Sequence, residues 1–351
     1  MAGQDYRDRV DAALRSGAPR SALDIAVAAY AASDGNLLTA WGEAVQLLGR
    51  QPAGMRALLL EALVARYEQA PSGSGVRLGL LHLGAVLGRD LDSDVLVAER
   101  REAVAAIAHR WAVRDHARLY LAHTEVSAGR PLSPAAVATV RRSALLLDDP
   151  GWTALAARLG DPVLNVGERW SDAALADISV LGSDWRGLVA HAGAARAAKP
   201  TPKWERTARG LLSAVGEEEA GKRIRAWLDL VGQERTLALA ESGADGWGMV
   251  AEQMDPFNAN VLRGLVLLLS CTGPDEETVA VLGSLVDTCL KVVPRFGPRA
   301  PKAANAAVNA LGRLGEPAAL AELRRLAAET SHGNTRRQIL RWLPEKWWQT
   351  G

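Results

Sequence analysis

The chain has 351 residues, 48% apolar and 23% charged, with a formal net charge of +1. Such a size and mix suit one long folded domain or two ordinary ones, and exclude a disordered or strongly polyionic chain. Two cysteines, Cys271 and Cys289, are too few for a disulfide framework or a metal knuckle, and no apolar run reaches the ~18 residues of a membrane span. The cysteines read as small buried hydrophobes in a reducing compartment. With no charged-then-apolar leader, the expectation is a cytoplasmic protein that takes no membrane partner.

Alanine and leucine dominate and β-branched runs are short, which predicts helix throughout. Residues 5–15 predict a short helix ended by Gly17 and Pro19. Apolar stripes at helical spacing follow over 21–32, 36–48 and 52–67, then the turn Pro71-Ser-Gly-Ser-Gly75. Residues 76–87 are apolar nearly all round and predict a buried helix. Residues 94–127 form the longest helical pattern, with a break placed near Val113. Ser133 before Pro134 starts another helix, which Asp148, Asp149 and Pro150 close.

The segment GDPVLNVG over 160–167 divides the chain, giving an N-terminal helical region over 1–164 and a C-terminal region over 165–351. Nine of the eleven tryptophans lie from Trp152 onward, and all six lysines lie in the second half. Helices are predicted there over 168–178, 185–198, 204–214, 217–231, 258–270, 276–293 and 302–314, with loops at KPTPK, SGADGWG, TGPD and PRFGPRAPK. Residues 305–343 then give the clearest local plan. Ala307, Ala310, Leu311 and Leu314 form one stripe, Gly315 is a C-cap, Pro317 opens the next helix, and Leu320, Leu323 and Leu326 form a second stripe. Neither face can be buried alone, so each hairpin must stack on a neighbour. The expected fold is all-α, a HEAT-like α-solenoid of helical hairpins with a less regular N-terminal half.

Catalytic signals are weak. Gly216–Lys222 has the spacing of a phosphate-binding loop, but Arg223 replaces the hydroxyl residue, Glu217, Glu218 and Glu219 would repel phosphate, and no strand precedes it. It reads as an acidic helix N-terminus. His109, His116 and His123 share a predicted helical stripe, but successive members are ~10 Å apart, too far for one metal. The pair Asp148-Asp149 reads as a polar helix end. No cofactor or metal is expected, and no catalytic set is assigned.

Charge is uneven. Residues 291–351 carry 11 Lys and Arg against 4 Asp and Glu, a net +7, and the rest of the chain nets −6. The proline-stiffened loop PRFGPRAPK with its flanks holds Lys291, Arg295, Arg299 and Lys302; Arg324, Arg325, Arg336, Arg337 and Arg341 follow on later helices. Together they make a candidate basic strip for phosphates. The alternative reading is a solvated, arginine-rich surface, favoured by 35 Arg against 6 Lys. Trp204, Trp227, Trp247, Trp342, Trp347 and Trp348 are either stacking surfaces for a ligand or gap-fillers between helices.

Three segments in order, HAGAARAAKPTPKW (191–204), NANVLRGLVLLLS (258–270) and LVDTCLKVVPRFGPRAPKAANAAVNALGRL (285–314), resemble a bacterial family of unknown function. The family is described as molybdate-metabolism-regulator-like, and some members carry a WGR module. The resemblance runs over about residues 165–343. Val293 and Arg295-Phe296 depart from the family's pattern, and those proteins are usually longer. The resemblance implies a helical-repeat scaffold, no particular reaction, and points to Lys291, Pro294, Gly297, Arg299, Lys302 and Asn305. The candidate binding residues are therefore Lys291, Arg295, Arg299, Lys302, Asn305, Arg337 and Trp204. The first expected function is a non-enzymatic scaffold or adaptor that binds a protein or peptide in its groove. The alternatives are a nucleic-acid-binding protein using the basic strip, similar to the HEAT-like alkylpurine glycosylases with Asp184 and Trp185 as a candidate pair, and an accessory protein of a biosynthetic or defence gene cluster acting on a peptide.

Overall fold

Helix ends in this chain lie where local backbone chemistry puts them. Thr201, Asp115, Ser133, Asp255 and Asp275 each accept a hydrogen bond from a backbone N–H of the first turn they precede. The computed structural model describes residues 2–33, 40–91, 95–240, 253–273 and 275–344. These are all-α and form two compact units, Met1–Ala156 and Ala157–Gly351. The SGADGWG loop with Trp247, and Trp347 and Trp348, lie outside the described residues.

In the first unit, α1 (Ala2–Arg15), α2 (Pro19–Ser33), α3 (Ala40–Gly49), α4 (Ala53–Gln69) and α5 (Gly75–Leu87) enclose a core that includes Trp41, Leu48, Leu59, Leu63, Leu83 and Leu87. Every residue from Gly79 to Leu87 is buried, as the all-round apolar pattern predicts. The pattern over 94–127 is interrupted: α6 (Val97–Ala105) passes into a 3-10 turn (Ala106–His109), and α7 (His116–Ser127) restarts at the Asp115 cap. The break lies around Val113, whose N–H is held by Ser143 Oγ at 2.9 Å. The expected row of three histidines on one helix is not formed: His109 ends the 3-10 turn and the break separates it from His116 and His123, which both lie on α7. Among the described residues no metal-binding cluster occurs. α8 (Pro134–Leu147) and α9 (Pro150–Ala157) follow, and Asp149 Oδ1 accepts from Gly151 and Trp152 N–H at 2.8 and 3.2 Å, so Asp149 is a helix cap.

The division falls at 156/157 rather than 164/165. Leu164 is buried in the second core, Asp161 pairs with Arg186, and Asn165 bonds to Asn258, so the intervening segment belongs to the second unit. That unit contains α10 (Arg169–Leu181), α11 (Ser183–Gly193), α12 (Pro202–Val215), α13 (Glu217–Leu228), α14 (Pro256–Leu269), α15 (Glu276–Leu290), α16 (Pro301–Leu314), α17 (Pro317–Glu329) and α18 (Gly333–Leu340). Packing arranges them in two rows. One runs α11, α14, α16, α18 and the other α10, α13, α15, α17, while α12 bridges α11 and α13. α14 is the innermost helix: Leu262, Leu265, Leu267, Leu268 and Leu269 are fully buried, each contributing about 1.5–3 kcal/mol. Gly264 lets α14 approach α11 closely, since a Cβ there would lie 1.9 Å from the Ala192 carbonyl oxygen.

Several helices end before the sequence expectation: the one predicted over 185–198 ends at Gly193, the one over 217–231 at Leu228 and the one over 276–293 at Leu290, and the loop predicted after the last is a small hairpin. β1 (Val292–Val293) pairs antiparallel with β2 (Gly297–Pro298). Two β-branched valines favour the extended backbone, and Gly297, at φ 83°, supplies the positive φ that closes the turn.

Candidate functional site

The hairpin sorts the predicted basic residues. Lys291, Arg295 and Lys302 are exposed. Arg295 sits in the three-residue turn at φ 70°, where Phe296 N–H donates to Val293 O at 3.0 Å. Arg299 lies beyond β2 and is drawn inward. Its N–H donates to Lys291 O at 3.1 Å, and Ala300 N–H donates to Cys289 O at 2.9 Å, so the hairpin base is stitched to the end of α15. The Arg299 side chain lines a pocket of about 500 Å³ within the second unit.

The pocket is assembled from four chain segments, one of them Arg299. α13 runs out at Leu228, and Gly232, at φ 85°, turns the chain so that Arg235 and Thr236 enter the wall. Gln253 and Met254 come from the approach to α14, and Glu168 and Trp170 from the start of α10. Gly232 has a specific reason to be glycine: a Cβ there would meet Thr288 Cγ2 at 2.5 Å and Arg299 Nη1 at 2.9 Å. The guanidinium of Arg299 therefore lies across the backbone of residue 232.

Behind the wall is a buried polar hub. Glu168 Oε1 accepts from Asp255 N–H at 2.8 Å and Arg235 Nη2 at 3.3 Å; Oε2 accepts from Asn258 Nδ2 at 2.9 Å and Trp170 Nε1 at 3.1 Å. Asn165 Nδ2 donates to both oxygens of Asp255 at 3.1 Å, and Asn165 and Asn258 exchange two further bonds. Burial raises the Glu168 carboxyl above its ordinary range, against the opposing pull of Arg235. Each carboxylate oxygen of Glu168 already takes two donors, so its role is to hold the start of α14 against residues 165–168 and to aim Arg235.

Arg299 is different. Its Nε is buried with no hydrogen-bond partner, and no carboxylate among the described residues lies within ion-pair distance of it. Gln253 Oε1 is likewise buried and unpartnered. A half-buried cation and a buried amide oxygen that find no partner among the described residues are each costly to leave unsatisfied. The nearby Cys289 thiol is pushed up to about 12 by burial, with Arg299 acting in the opposite direction. Cys289 is therefore a buried neutral thiol and supplies no nucleophile.

The remaining candidates are placed elsewhere. Trp204 is buried and stacks on His191 with ring centroids 4.7 Å apart; its Nε1 donates to His191 O at 3.1 Å. That tryptophan joins α11 to α12 and does not present a stacking surface. Asn305 is committed to α18, accepting from Thr335 Oγ1 at 2.8 Å and, through its carbonyl, from Gln338 Nε2 at 2.9 Å. Arg337 is exposed and bonds to Asn334 on its own helix. The later arginines are not a uniform strip. Arg324, Arg336 and Arg341 are exposed, but Arg325 is held by Asp287, Glu322 and Glu329, and Arg313 by Glu205. Trp185 packs edge-on against Trp227 in the core, at 5.9 Å, so Asp184 and Trp185 form no aromatic groove. Gly216–Lys222 is the start of α13, with its three glutamates in the first turn.

Of the predicted set, Arg299 lines this pocket. Gly232, Arg235, Gln253, Glu168 and Trp170 were not singled out by sequence, because they are spread over 85 positions and carry no shared spacing. The signals that could have marked that wall are the glycine after α13 and the Asp255-Pro256 helix start. Comparison with protein-family models, curated proteins and solved structures finds no match to this chain.

Proposed function

We propose that the chain is a non-enzymatic helical scaffold whose second unit binds a protein or peptide partner, with an acidic group of that partner received at Arg299. The observation that carries this reading is the half-buried Arg299 guanidinium, which has no carboxylate partner among the described residues and lines a pocket of about 500 Å³ that Gln253, its Oε1 unpartnered among those residues, also lines. A carboxylate side chain or a C-terminal carboxylate would accept from Arg299, while Trp170 and Met254 offer apolar contact for the adjoining part of the segment. The site is sized and charged for one anionic group rather than a polyanion. Glu168 and Glu234 share its wall, and Arg313 and Arg325 are already neutralised by carboxylates.

The two-row packing of α10–α11 and α13–α18 supports reading the second unit as a HEAT-like α-solenoid. The resemblance to the molybdate-metabolism-regulator-like family agrees with such a scaffold and belongs to the same proposal, as does a cytoplasmic location. No helix among the described residues is long and apolar enough to cross a membrane.

The test is selection of random dodecapeptides displayed on phage against the full chain, with Arg299→Met as the counter-target. Enrichment of Asp, Glu or a free C-terminus, lost in the variant, supports the reading. The variant should weaken selected peptides at least tenfold, the scale of one charge-assisted hydrogen bond in a desolvated site. Selection of no peptide, or of peptides indifferent to Arg299, overturns it. Salt-dependent binding of mixed-sequence DNA or RNA in place of peptide would move the function to the exposed Lys291, Arg295 and Lys302.

A further inference from the structure

A second pocket lies in the first unit and is independent of the peptide reading. It holds about 290 Å³ between α3, α5 and α7. Its floor is His82, 1% exposed, and its walls include Val45, Val86 and Tyr120. Arg50 and Arg89, both exposed, line it with Gln46, Gly42 and Gly49, and no carboxylate among the described residues does. Arg89 faces Asp90 at 3.7 Å, an exposed contact that solvent screens.

His82 is an unusual floor. Its ring packs edge-on to Trp41 at 6.0 Å and against Tyr120 at 4.8 Å. No hydrogen bond reaches it from the described residues. Nδ1 is sealed from solvent without a partner, which leaves Nε2 as the ring nitrogen that the cavity can reach. Burial, assisted by His116, lowers the ring's pKa to about 4, so the imidazole is neutral near pH 7. An orphaned N–H is rarer and costlier in a protein interior than an under-used lone pair. The proton therefore belongs on Nε2, and the pocket floor offers a donor. The Tyr120 hydroxyl is a neutral phenol, since burial raises its pKa.

We propose that this pocket binds a small aromatic carboxylate carrying an oxygen opposite its acid group. The carboxylate sits between Arg50 and Arg89 at the mouth. The ring lies along Val45 and Val86 beside Tyr120, and the distal oxygen accepts from His82 Nε2–H. This arrangement satisfies a buried ring nitrogen and places the ligand's charge where two guanidiniums already face solvent. A neutral ligand would leave the arginines unused, and a bulky or polyanionic one would not enter 290 Å³.

The probe is 4-hydroxybenzoate, compared with benzoate and 4-hydroxybenzyl alcohol, on the full chain. Binding is read by saturation-transfer NMR and by tryptophan fluorescence, for which Trp41 against His82 is a local reporter. The wild-type chain should bind 4-hydroxybenzoate at least tenfold more tightly than either control. Arg50→Glu/Arg89→Glu, a surface change, should remove the advantage over the alcohol. His82→Phe, which keeps a ring, should remove the advantage over benzoate. Thermal melting of each variant separates loss of the ligand from loss of the fold. No binding of 4-hydroxybenzoate at millimolar concentration by the wild type overturns the proposal. So does binding that is unchanged in both folded variants.

Discussion

Arg299 Nη1 lies 2.9 Å from the point that a Cβ on Gly232 would occupy. The pair shows how the pocket of the second unit depends on a missing side chain as much as on a present one. Gly232→Ala must place a side chain at φ 85° and displace both Arg299 and Thr288 Cγ2. The expected cost is about 1–3 kcal/mol, read as a lower urea midpoint, with weaker binding of any acidic peptide selected by the wild type.

Arg299→Met separates a binding arginine from a structural one. The substitution keeps length and apolar contact and removes a half-buried charge with no counter-ion among the described residues. Stability should stay level or rise by about 1 kcal/mol, because a desolvation cost disappears. A fall of several kcal/mol in the urea unfolding free energy would show that the guanidinium supports the fold.

Trp204 should behave as core. Trp204→Phe keeps the stack on His191 and loses the Nε1 bond to the His191 carbonyl, costing about 1–2 kcal/mol. Trp204→Ala loses the packing as well and should cost about 3–5 kcal/mol. Selected peptides should bind Trp204→Phe with wild-type affinity below its melting temperature, which a ligand-stacking residue would not allow.

Glu125 gives the first unit a defined acid sensitivity. Arg130 binds both carboxylate oxygens at 2.6 Å and Arg101 lies at 3.4 Å, and the Arg130 hydrogen bonds hold the carboxyl below its ordinary range despite burial. The unfolded chain then takes up this proton at higher pH than the folded chain. The stabilisation is present above the ordinary glutamate range and is lost as pH falls through the folded value. Melting temperature followed from pH 7 downward should drop less steeply in Glu125→Gln than in the wild type, from a lower starting point.

The two cysteines should differ from an unfolded thiol. Cys289 is fully buried with its pKa pushed up to about 12, and burial also raises that of Cys271. A thiol reagent at pH 8 should label neither at the rate seen in guanidinium, with Cys289 the slower. Rapid native labelling of Cys289 would mean that the base of the hairpin opens.

Sequence by itself determined the all-α class and most helix boundaries, because these are decided within a few residues. Gly315 takes φ 67° after α16, Pro317 opens α17, Asp115 restarts the chain after the break near Val113, and the continuous apolar run of α5 can only be buried. Local chemistry also exposed the false phosphate loop as the start of α13. Tertiary structure decided which charges matter. Arg295 and Arg299 are four residues apart in one basic stretch, yet the hairpin turns the first outward and packs the second against Gly232. Arg325 and Arg324 are neighbours, yet only Arg325 meets Asp287 from α15, 38 positions away. Glu168, Asp255 and Asn258 converge across about 90 positions. His82 lies sealed at a cavity floor only because Trp41 and Tyr120 from other helices enclose it. Helix caps follow from the bonding of one turn, whereas burial and ion pairing depend on which distant element supplies the neighbour.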